Sequence, residues 1–504
     1  MSLLGIDVGT SGCKAALFSA GGELLAAAYA EYDIDHPQPG YAELDALRVW
    51  ETVKGLVARA AASMESDPVR ALAVSSMGEA VVPVTRERQI LGPSIINFDR
   101  RGEEFLAELR AGMPAERLYR INGNTLGNNY SLTKLMWIQR HQPELYARAG
   151  LFLHWAGFIS FMLGAEPAVD YSLANRTLLF DLDRADWSDE LIAWAGLDRA
   201  KLPRPVPPGS VVGEVSDGMA QELGLLARVK IVAGAHDQNA TALGCGVIRE
   251  GQTVYGMGTF TCITPVFERR IDAGPMLARG LNTEHHAVPG RYVSFLYNQG
   301  GALLKWYRDT FAPLEKRQAL AEGRDIYAGL IAEIPERPSE VLVLPHFMLT
   351  GPPEFIGGSS GVMLGLKLET TRGEILKGML EGSVYYLKEC VDTLPEVGIA
   401  IRDFRATGGG SKSDAWVQLS ADIFGTPIVC PRITEAGALG AAILAGIGAG
   451  DFASAEQGVA AMVRLERSFT PDVAQHDRYA RRYEQYKKLW PLLKDFLLSE
   501  SAPM

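Results

Sequence analysis

Apolar runs alternate with short glycine-containing turns over the first thirty residues of the chain. The runs LLGIDV, KAALF and ELLAAAYAEY each have the length and apolar content of a strand, and together they predict an antiparallel meander. Beyond them, ALRVWETVKGLVARAAA repeats apolar residues at helical spacing, VRALAVSSM and AVVPVT return to strand patterns, and YSLTKLMWIQRHQPELYARA is again helical. Strands that alternate with helices in this way predict an α/β protein with mixed sheets.

The middle of the chain carries the signals of a domain boundary. A proline-rich segment, Lys201–Gly213, predicts a loop, and VKIVAGAHD then reads as a buried strand that ends at Asp237. A short helix and turn follow, and TVYGMGTFTCITPVF repeats the strand, Gly-Thr turn and strand of the opening. Because 504 residues exceed what one hydrophobic core supports, we expect two domains, 1–246 and 247–504.

Two helices are predicted in the second region. The segment GEILKGMLEGSVYYLKECVDTL has one apolar stripe, and Gly382 within it suggests close backbone packing. The C-terminal segment QHDRYARRYEQYKKLWPLLKDFLLSE is also helical, and it either packs on the second domain or forms a homodimer contact.

The charge balance excludes some partners and leaves others open. The formal net charge is −11 without a Lys/Arg cluster, which argues against nucleic-acid binding but not against a phosphate ligand. The five cysteines are scattered, so neither a disulfide framework nor a zinc site is indicated. The opening lacks the features of a signal peptide and no apolar run reaches the length of a membrane span, so we expect a cytoplasmic protein without membrane contact.

The opening hairpin carries polar residues that suit an anion. Backbone N–H groups of a glycine-rich turn, with the hydroxyls of Thr10 and Ser11, form a concavity for phosphate. Lys14 would add a positive charge, and Asp7 would hold Mg²⁺ through water, since this ion takes few carboxylates beside phosphate oxygens. The alternative is an ordinary polar β-turn.

A second glycine-rich segment, TGGGSKSDAWVQLSADIFGTPI, predicts a helix with clear ends. Ser413 is a natural N-cap, the helix spans 414–424, and Gly425 followed by Pro427 ends it. The glycines before it allow a ligand such as a nucleotide to approach the backbone and the helix N-terminus. Asp414 is either a capping acid or a ligand contact.

An acid at the end of the buried strand is a candidate general base. Side chains at strand ends reach into clefts of α/β proteins, and the Asp237 carboxylate could accept a hydroxyl proton there. The alternative is that Asp237 caps the segment that follows. Since neighbouring strand residues point to opposite faces, we expect His236 to point away from Asp237 and to be structural.

Polar residues on three further loops suit a polyhydroxylated ligand. Glu79 follows a strand, Arg100 lies in a turn, and Asn129 precedes a helix. No Walker A sequence and no protein-kinase HRD or DFG set is present, so a nucleotide would be bound by other elements.

The order of these motifs resembles the FGGY carbohydrate kinase family, which includes glycerol kinase and xylulokinase. The order is a DxGT hairpin, a buried HDQ acid, a second Gly-Thr hairpin and a GGG-helix, and the likeness covers about Leu3 to Phe452. The resemblance implies two actin-like (ribonuclease H-like) domains that close on a cleft, with ATP held mainly by the second domain.

The resemblance also implies roles for individual residues. Asp237 matches the catalytic base, Gln238 a substrate contact and Asp7 a ligand of Mg²⁺. The residues that match the ATP contacts are Thr10, Ser11 and Lys14 in the first phosphate loop, Gly258 and Thr259 in the second, Gly301 beside the phosphates, and Gly409, Gly410 and Asp414 at the nucleoside.

The substrate implied by the resemblance is a sugar or polyol. Glycerol kinase has Arg-Glu where this chain has Gly78 and Glu79, and it has a tyrosine at the position of Asn129. Both losses leave room for a substrate larger than glycerol, which favours a xylulokinase-like pentulose. The pair Asp237-Gln238 instead resembles glycerol kinase, so a glycerol or tetritol kinase is the alternative. The alternative from another class is an actin-like ATPase without a sugar substrate.

Overall fold

The computed structural model describes residues 2–62, 67–225 and 228–499. Its strands are β1 Ser2–Val8, β2 Gly12–Phe18, β3 Leu24–Glu31, β4 Glu43–Leu44, β5 Val69–Ser76, β6 Val81–Val84, β7 Ser94–Ile95, β8 Leu151–His154, β9 Ala168–Asp170, β10 Phe180–Asp181, β11 Asp186–Trp187, β12 Arg204–Val206, β13 Val211–Glu214, β14 Lys230–His236, β15 Gln252–Met257, β16 Phe260–Phe267, β17 Glu284–His285, β18 Tyr292–Val293, β19 Leu296–Gln299, β20 Leu342–Leu344, β21 Val362–Leu364, β22 Asp403–Thr407, β23 Ile428–Pro431 and β24 Leu465–Phe469.

The helices lie between and around these strands. They are α1 Ala46–Ala62, α2 Leu106–Gly112, α3 Ala115–Asn122, α4 Ser131–His141, α5 Pro143–Arg148, α6 Trp155–Leu163, α7 Tyr171–Asn175, α8 Asp189–Ala195, α9 Asp217–Leu223, α10 Asp237–Gly244, α11 Ala273–Leu277, α12 Gly301–Phe311, α13 Pro313–Ala321, α14 Ile326–Ile331, α15 Arg372–Thr393, α16 Asp414–Phe424, α17 Ala436–Ala449, α18 Ala455–Met462, α19 Val473–Tyr486 and α20 Leu489–Ser499. Within the described ranges, no helix is long and apolar enough to cross a bilayer.

Two sheets with the same pairing plan organise the chain. In the first, of order β13-β14-β5-β1-β2-β3, the meander β1-β2-β3 is antiparallel, while β5 and β14 run parallel to β1. In the second, β15, β16 and β19 form the meander, and β22 and β23 run parallel to β15. An antiparallel strand, β13 or β24, completes each parallel side. The echo between the two hairpins in the sequence therefore extends to the whole sheets.

Helix α17 joins the two sheets. It follows β23 of the second sheet, yet its apolar residues pack on β1, β5 and β14 of the first sheet and on α10. Two glycines permit this approach, because a Cβ at Gly5 would overlap the carbonyl oxygen of Ala438 and a Cβ at Gly440 would overlap that of Ala240. The helix thus contacts the sheet at backbone distance.

Most of the elements predicted from the sequence are present. The meander, helix α1 and strands β5, β6 and β14 occupy the predicted segments, and α15 packs against β20 where a Cβ at Gly382 would overlap the carbonyl oxygen of Val343. Helix α19 packs through Tyr479, Tyr483 and Tyr486 on the hydrophobic core of the second half of the chain, which was one of the two alternatives given for the C-terminal segment.

The segment from Tyr130 to Ala149 is helical, as predicted, and it is divided into α4 and α5 because Pro143 cannot donate the backbone hydrogen bond that would continue α4. One prediction about a connection was wrong. The Lys201–Gly213 segment is not only loop, since β12 pairs in parallel with β9 and β13 begins at Val211.

Candidate active site

The candidate residues of the first sheet gather at the carboxyl ends of its parallel strands. Val8 and His236 both lie level with Ser76, so β1, β5 and β14 end at the same edge. The hairpin between β1 and β2 is closed by a hydrogen bond from the N–H of Gly9 to the carbonyl of Gly12 at 2.9 Å. The Tyr32 hydroxyl braces the hairpin by donating to the carbonyl oxygens of Gly9 and Gly12.

The tip of this hairpin is accessible. Ser11 is exposed, so its hydroxyl can face a ligand, whereas Thr10 is half-buried and its hydroxyl donates to Sδ of Met77 at 3.9 Å. Lys14, on β2, pairs with Glu435 at the start of α17, with 3.1 Å between Nζ and Oε1. The lysine therefore reaches from the first hairpin to the second half of the chain.

Asp7 lies at the end of β1 against the start of α17. Ser75 donates its hydroxyl to Oδ1 at 2.6 Å, and a Cβ at Gly437 would sit 2.8 Å from Oδ2. The pKa of Asp7 is raised to about 6: burial is the largest cause and the nearby Asp237 carboxylate adds to it, while the Ser75 hydrogen bond and the charge of Lys14 oppose the rise. The negative charge of Asp237 therefore acts on Asp7, and a proton or a cation at Asp7 would relieve the repulsion.

The second hairpin and the start of α12 form one unit. The N–H of Gly301 donates to the carbonyl of Gly258 at 3.0 Å, and that of Ala302 donates to Thr259 at 2.9 Å. A Cβ at Gly301 would lie 2.5 Å from the Gly258 carbonyl oxygen, so only glycine fits. The structure therefore brings together the Gly258-Thr259 turn and Gly301.

The GGG segment lies beside the same hairpin. Gly408 has φ +92°, and a Cβ there would lie 3.0 Å from the carbonyl oxygen of Met257. A Cβ at Gly410 would meet the Trp416 ring at 2.7 Å, whereas one at Gly409 would meet nothing within 4 Å. Gly409 thus borders open space beside the second hairpin.

Helix α16 has the predicted ends. Ser413 caps it by accepting a hydrogen bond from the N–H of Trp416, and Gly425 ends it in the left-handed conformation. Asp414 pairs with Arg467, which also donates to the carbonyl of Ser411 at 2.8 Å. The ion pair joins the start of α16 to β24.

Asp237 is the first residue of α10 and keeps part of its side chain exposed. His236 lies beside it, with 3.1 Å between Nε2 and Oδ1, so the prediction that His236 points away was wrong. The strand ends at His236, and the alternation of faces ends with it. On the other side of the ring, Nδ1 lies 3.7 Å from Oε2 of Glu284. Burial opposes protonation of His236, but the Asp237 and Glu284 carboxylates outweigh it and raise the pKa.

Glu79 is buried in a strained conformation. Its φ is 57°, in the left-handed region, and Ser131 donates its hydroxyl to the Glu79 carbonyl. Arg176, directly after α7, binds the carboxylate through Nε at 2.8 Å and through Nη2. Its Nη1 lies 2.5 Å from Oε1 of Glu284, on β17. A chain of charged groups therefore runs from Glu79 to Asp237.

Sequence reasoning missed Arg176 and Glu284. They are 108 residues apart, and neither stands in a motif that indicates chemistry. The only hint was the Gly78-Glu79 pair, where an expected arginine was absent. The structure supplies a guanidinium to that carboxylate from position 176 instead.

The remaining candidates lie on the same half of the chain but are less constrained. Gln238 is half-buried in the first turn of α10, and Asn129 is exposed beside Gly127. Arg100 is exposed, pairs with Glu103 and packs on the Gly40 turn. The contacts described for Arg100 do not include Glu79 or Asp237.

A bound Mg²⁺ is compatible with these residues. Across the described residues, no group of three or more His, Cys, Asp or Glu side chains forms a metal cage. Mg²⁺ bound with a nucleotide needs no such cage, since one or two carboxylates with phosphate oxygens and water suffice. Asp7 is a carboxylate that fits such a set.

The chain matches both domains of one protein family. Residues 2–244 match the N-terminal domain of the FGGY family of carbohydrate kinases, and residues 255–449 match its C-terminal domain. The xylulose kinase of Bacillus subtilis is 26% identical over 500 residues, 98% of this chain and 97% of that protein. The autoinducer-2 kinase of Yersinia enterocolitica is 29% identical over 511 residues, 97% of this chain and 93% of that protein.

Solved structures of such kinases share the fold. The crystal structure of xylulose kinase from Rhodospirillum rubrum superposes with a TM-score of 0.86 at 29% identity, covering 99% of this chain and all of that one. The expected pair of actin-like (ribonuclease H-like) domains is confirmed. In this chain, each of the two sheets with the same strand pairing belongs to one of these domains.

Proposed function

The chain belongs to the FGGY family of carbohydrate kinases and is therefore an ATP-dependent phosphotransferase that acts on a small-molecule sugar, and we propose that its acceptor is a terminal hydroxyl of an open-chain pentulose. The observation that carries the catalytic part is the placement of Asp237. It stands at the edge where the first sheet ends, partly exposed, with one carboxylate oxygen held by His236.

Asp237 is proposed as the general base. The bond between oxygen and hydrogen of the sugar hydroxyl breaks, the proton goes to the Asp237 carboxylate, and the oxygen attacks the γ-phosphorus. The bond between that phosphorus and the β–γ bridging oxygen breaks, and ADP leaves with its electron pair. The Asp237 carboxylate lies near Asp7 and contributes to the raised pKa of Asp7.

The two hairpins are proposed to hold the phosphates. Backbone N–H groups and hydroxyls of Thr10, Ser11 and Thr259 would bind phosphate oxygens, and Lys14 would move between Glu435 and the phosphates. Gly258 and Gly301 bring the second hairpin and α12 into backbone contact. This contact fixes the position of the backbone N–H groups in the hairpin turn. Mg²⁺, held by Asp7, would neutralise phosphate charge when bound.

The nucleoside is proposed to lie at the GGG segment. Gly409 borders open space, and the Gly410 backbone lies against Trp416, so a flat base can approach without a side chain in its way. Asp414, held by Arg467, would accept a hydrogen bond from the nucleoside.

The sugar is proposed to lie between Asp237 and Glu79. Glu79 is a fixed acceptor for a sugar hydroxyl, with Gln238, Asn129 and Arg100 as further contacts. The named relatives that are xylulose kinases support the pentulose. A glycerol or tetritol kinase is the second candidate, favoured by the pair Asp237-Gln238.

The experiment that tests this function is an ADP-release assay with Mg-ATP across single sugars. The panel contains glycerol, erythritol, xylulose, ribulose, fuculose and gluconate, and the variant is Asp237→Asn. Asp217→Asn is the matched control, since Asp217 is also the first residue of a helix, α9, but is exposed. We expect high turnover on one pentulose, unchanged in the control and lowered in Asp237→Asn by about 100- to 10,000-fold.

Other outcomes point elsewhere. Highest turnover on glycerol or erythritol would favour the second candidate. ADP release that no sugar changes, and that survives Asp237→Asn, would contradict both candidates and favour an actin-like ATPase.

A further inference from the structure

We infer that Arg176 is a positioning residue that orients the Glu79 carboxylate toward a sugar hydroxyl. Because Arg176 also pairs with Glu284, this orientation depends on the position of the second half of the chain. The inference rests on the proposed function and goes beyond it, because Arg176 touches neither reacting atom. Four observations carry it: the space beside Gly78, the one-sided binding of the Glu79 carboxylate, the strained backbone of Glu79 and the link to Glu284.

Arg176 fills the space that a side chain at position 78 would enter. A Cβ on Gly78 would lie 3.1 Å from Cγ of Arg176 and 3.2 Å from Nε2 of His236. The glycine therefore makes room for an arginine that arrives from the end of α7. The side chain of Arg176 is largely buried and lies over the Tyr130 ring, 4.9 Å from its centre.

The arginine binds only one oxygen of Glu79. Both Nε and Nη2 donate to Oε1, and no donor to Oε2 is present in the described part of the chain. Since one carboxylate oxygen can accept two hydrogen bonds, both donors of Arg176 are satisfied by Oε1. The other oxygen, Oε2, is left to accept a hydrogen bond from a substrate hydroxyl. A group held on one side and free on the other is a preorganised acceptor.

The backbone of Glu79 supports the same role. The left-handed region is sterically disfavoured for a residue that carries a Cβ, and such strain concentrates at ligand sites. The hydrogen bond from Ser131 and the ion pair with Arg176 hold the residue in that conformation. Without Arg176 the side chain would lose the contact that fixes its direction.

The other arm of Arg176 crosses to the second half of the chain. Nη1 binds Oε1 of Glu284, which also accepts a hydrogen bond from Nδ2 of Asn282 at 3.1 Å. Glu284 is fully buried and faces His236, the neighbour of the proposed base. A displacement of β17 therefore moves the guanidinium that holds Glu79, so the sugar contact depends on how the halves meet.

The rival explanation is a buried ion pair with a structural role only. Arg101 offers the matched control, because it is also shielded from solvent, pairs with the carboxylates of Asp99 and Glu43 and stacks on Tyr41. All of these partners belong to the first half. A structural effect would appear in both arginines, whereas positioning of the sugar contact belongs to Arg176 alone.

The test compares Arg176→Gln and Arg176→Lys with Arg101→Gln and Arg101→Lys in steady-state kinetics on the preferred sugar. We expect Arg176→Gln to raise the KM for the sugar by about 10- to 100-fold, the range for a lost hydrogen bond to a charged group, while the KM for ATP changes less than about threefold. Arg176→Lys keeps the charge and should recover part of the sugar KM. The Arg101 variants should leave it unchanged.

The results that overturn the inference are equally specific. A sugar KM that stays at the wild-type value in Arg176→Gln refutes it, as does an equal rise in the Arg101 variants or an equal rise in the KM for ATP. If Arg176→Gln does not fold, Arg176→Lys decides by the same KM ratio. Wild-type protein that phosphorylates no sugar removes the proposed function and this inference together, whereas an active wild type with unchanged variants removes this inference alone.

Discussion

Replacing Asp7 by asparagine should stabilise the free protein at neutral and alkaline pH. Asparagine keeps the shape of the side chain and an oxygen for the Ser75 hydroxyl, but it removes a charge that burial and Asp237 disfavour. Since the pKa of Asp7 rises from 3.8 to about 6 in the fold, ionisation at pH 8 costs up to about 3 kcal/mol of folding free energy. Asp7 keeps some contact with solvent, so we expect about half of that.

The dependence on pH follows from the direction of the shift. Protonation of Asp7 stabilises the fold fully below about pH 4, and this contribution is lost as pH rises through about 6. The advantage of Asp7→Asn over wild type should therefore be near zero at pH 4 and complete by about pH 7. At about 2–4 °C per kcal/mol, the melting midpoint at pH 8 should rise by about 3–6 °C.

The assay is thermal unfolding without nucleotide or Mg²⁺ at pH 4, 6 and 8. Asp33→Asn, on the exposed segment after β3, is the control and should not change the midpoint at any of these values. A variant that gains nothing at pH 8, or gains as much at pH 4, would show that burial of Asp7 does not set its pKa. Kinase activity of Asp7→Asn should fall even as stability rises, since the proposed Mg²⁺ ligand is lost.

Two further substitutions test the packing and the charge chain. Gly440→Ala should lower the melting midpoint by several degrees, because its Cβ would overlap the carbonyl oxygen of Ala240. The control Gly55→Ala, which has open space beside it in α1, should be neutral or stabilising. Equal effects of the two substitutions would refute the backbone contact of α17. Glu284→Gln should lower the pKa of His236, because one of the two carboxylates that favour its protonated ring is gone. Proton NMR of the ring during a pH titration measures this, and an unchanged midpoint would contradict it.

Local signals in the sequence were sufficient where the interactions are local. The ends of α16 follow from Ser413, Gly425 and Pro427, because capping and left-handed termination act within three or four residues. The hairpin strands follow from apolar runs and glycine turns for the same reason. The hairpin Gly258-Thr259 also repeats the first one closely enough to predict a related turn.

The failures come from boundaries and from distance along the chain. The direction of His236 depended on whether β14 continues past it, and α10 begins at the next residue. The ion pair of Arg176 with Glu284 depends on how the two halves of the chain meet. The spacing of apolar residues along the sequence contains no information about that contact. Whether the remaining site residues act as proposed stays a prediction for the kinetic assays.

Helix α17 makes the two halves interdependent in folding. The face of the first sheet formed by β1, β5 and β14 is covered by a helix that is synthesised about two hundred residues after β14. A fragment that stops near Gly246 would leave that apolar face open to aggregation, and a chimera that exchanges halves with a relative would bring two unmatched surfaces together. Recombination of such kinases should therefore succeed only when α17 travels with the sheet it covers.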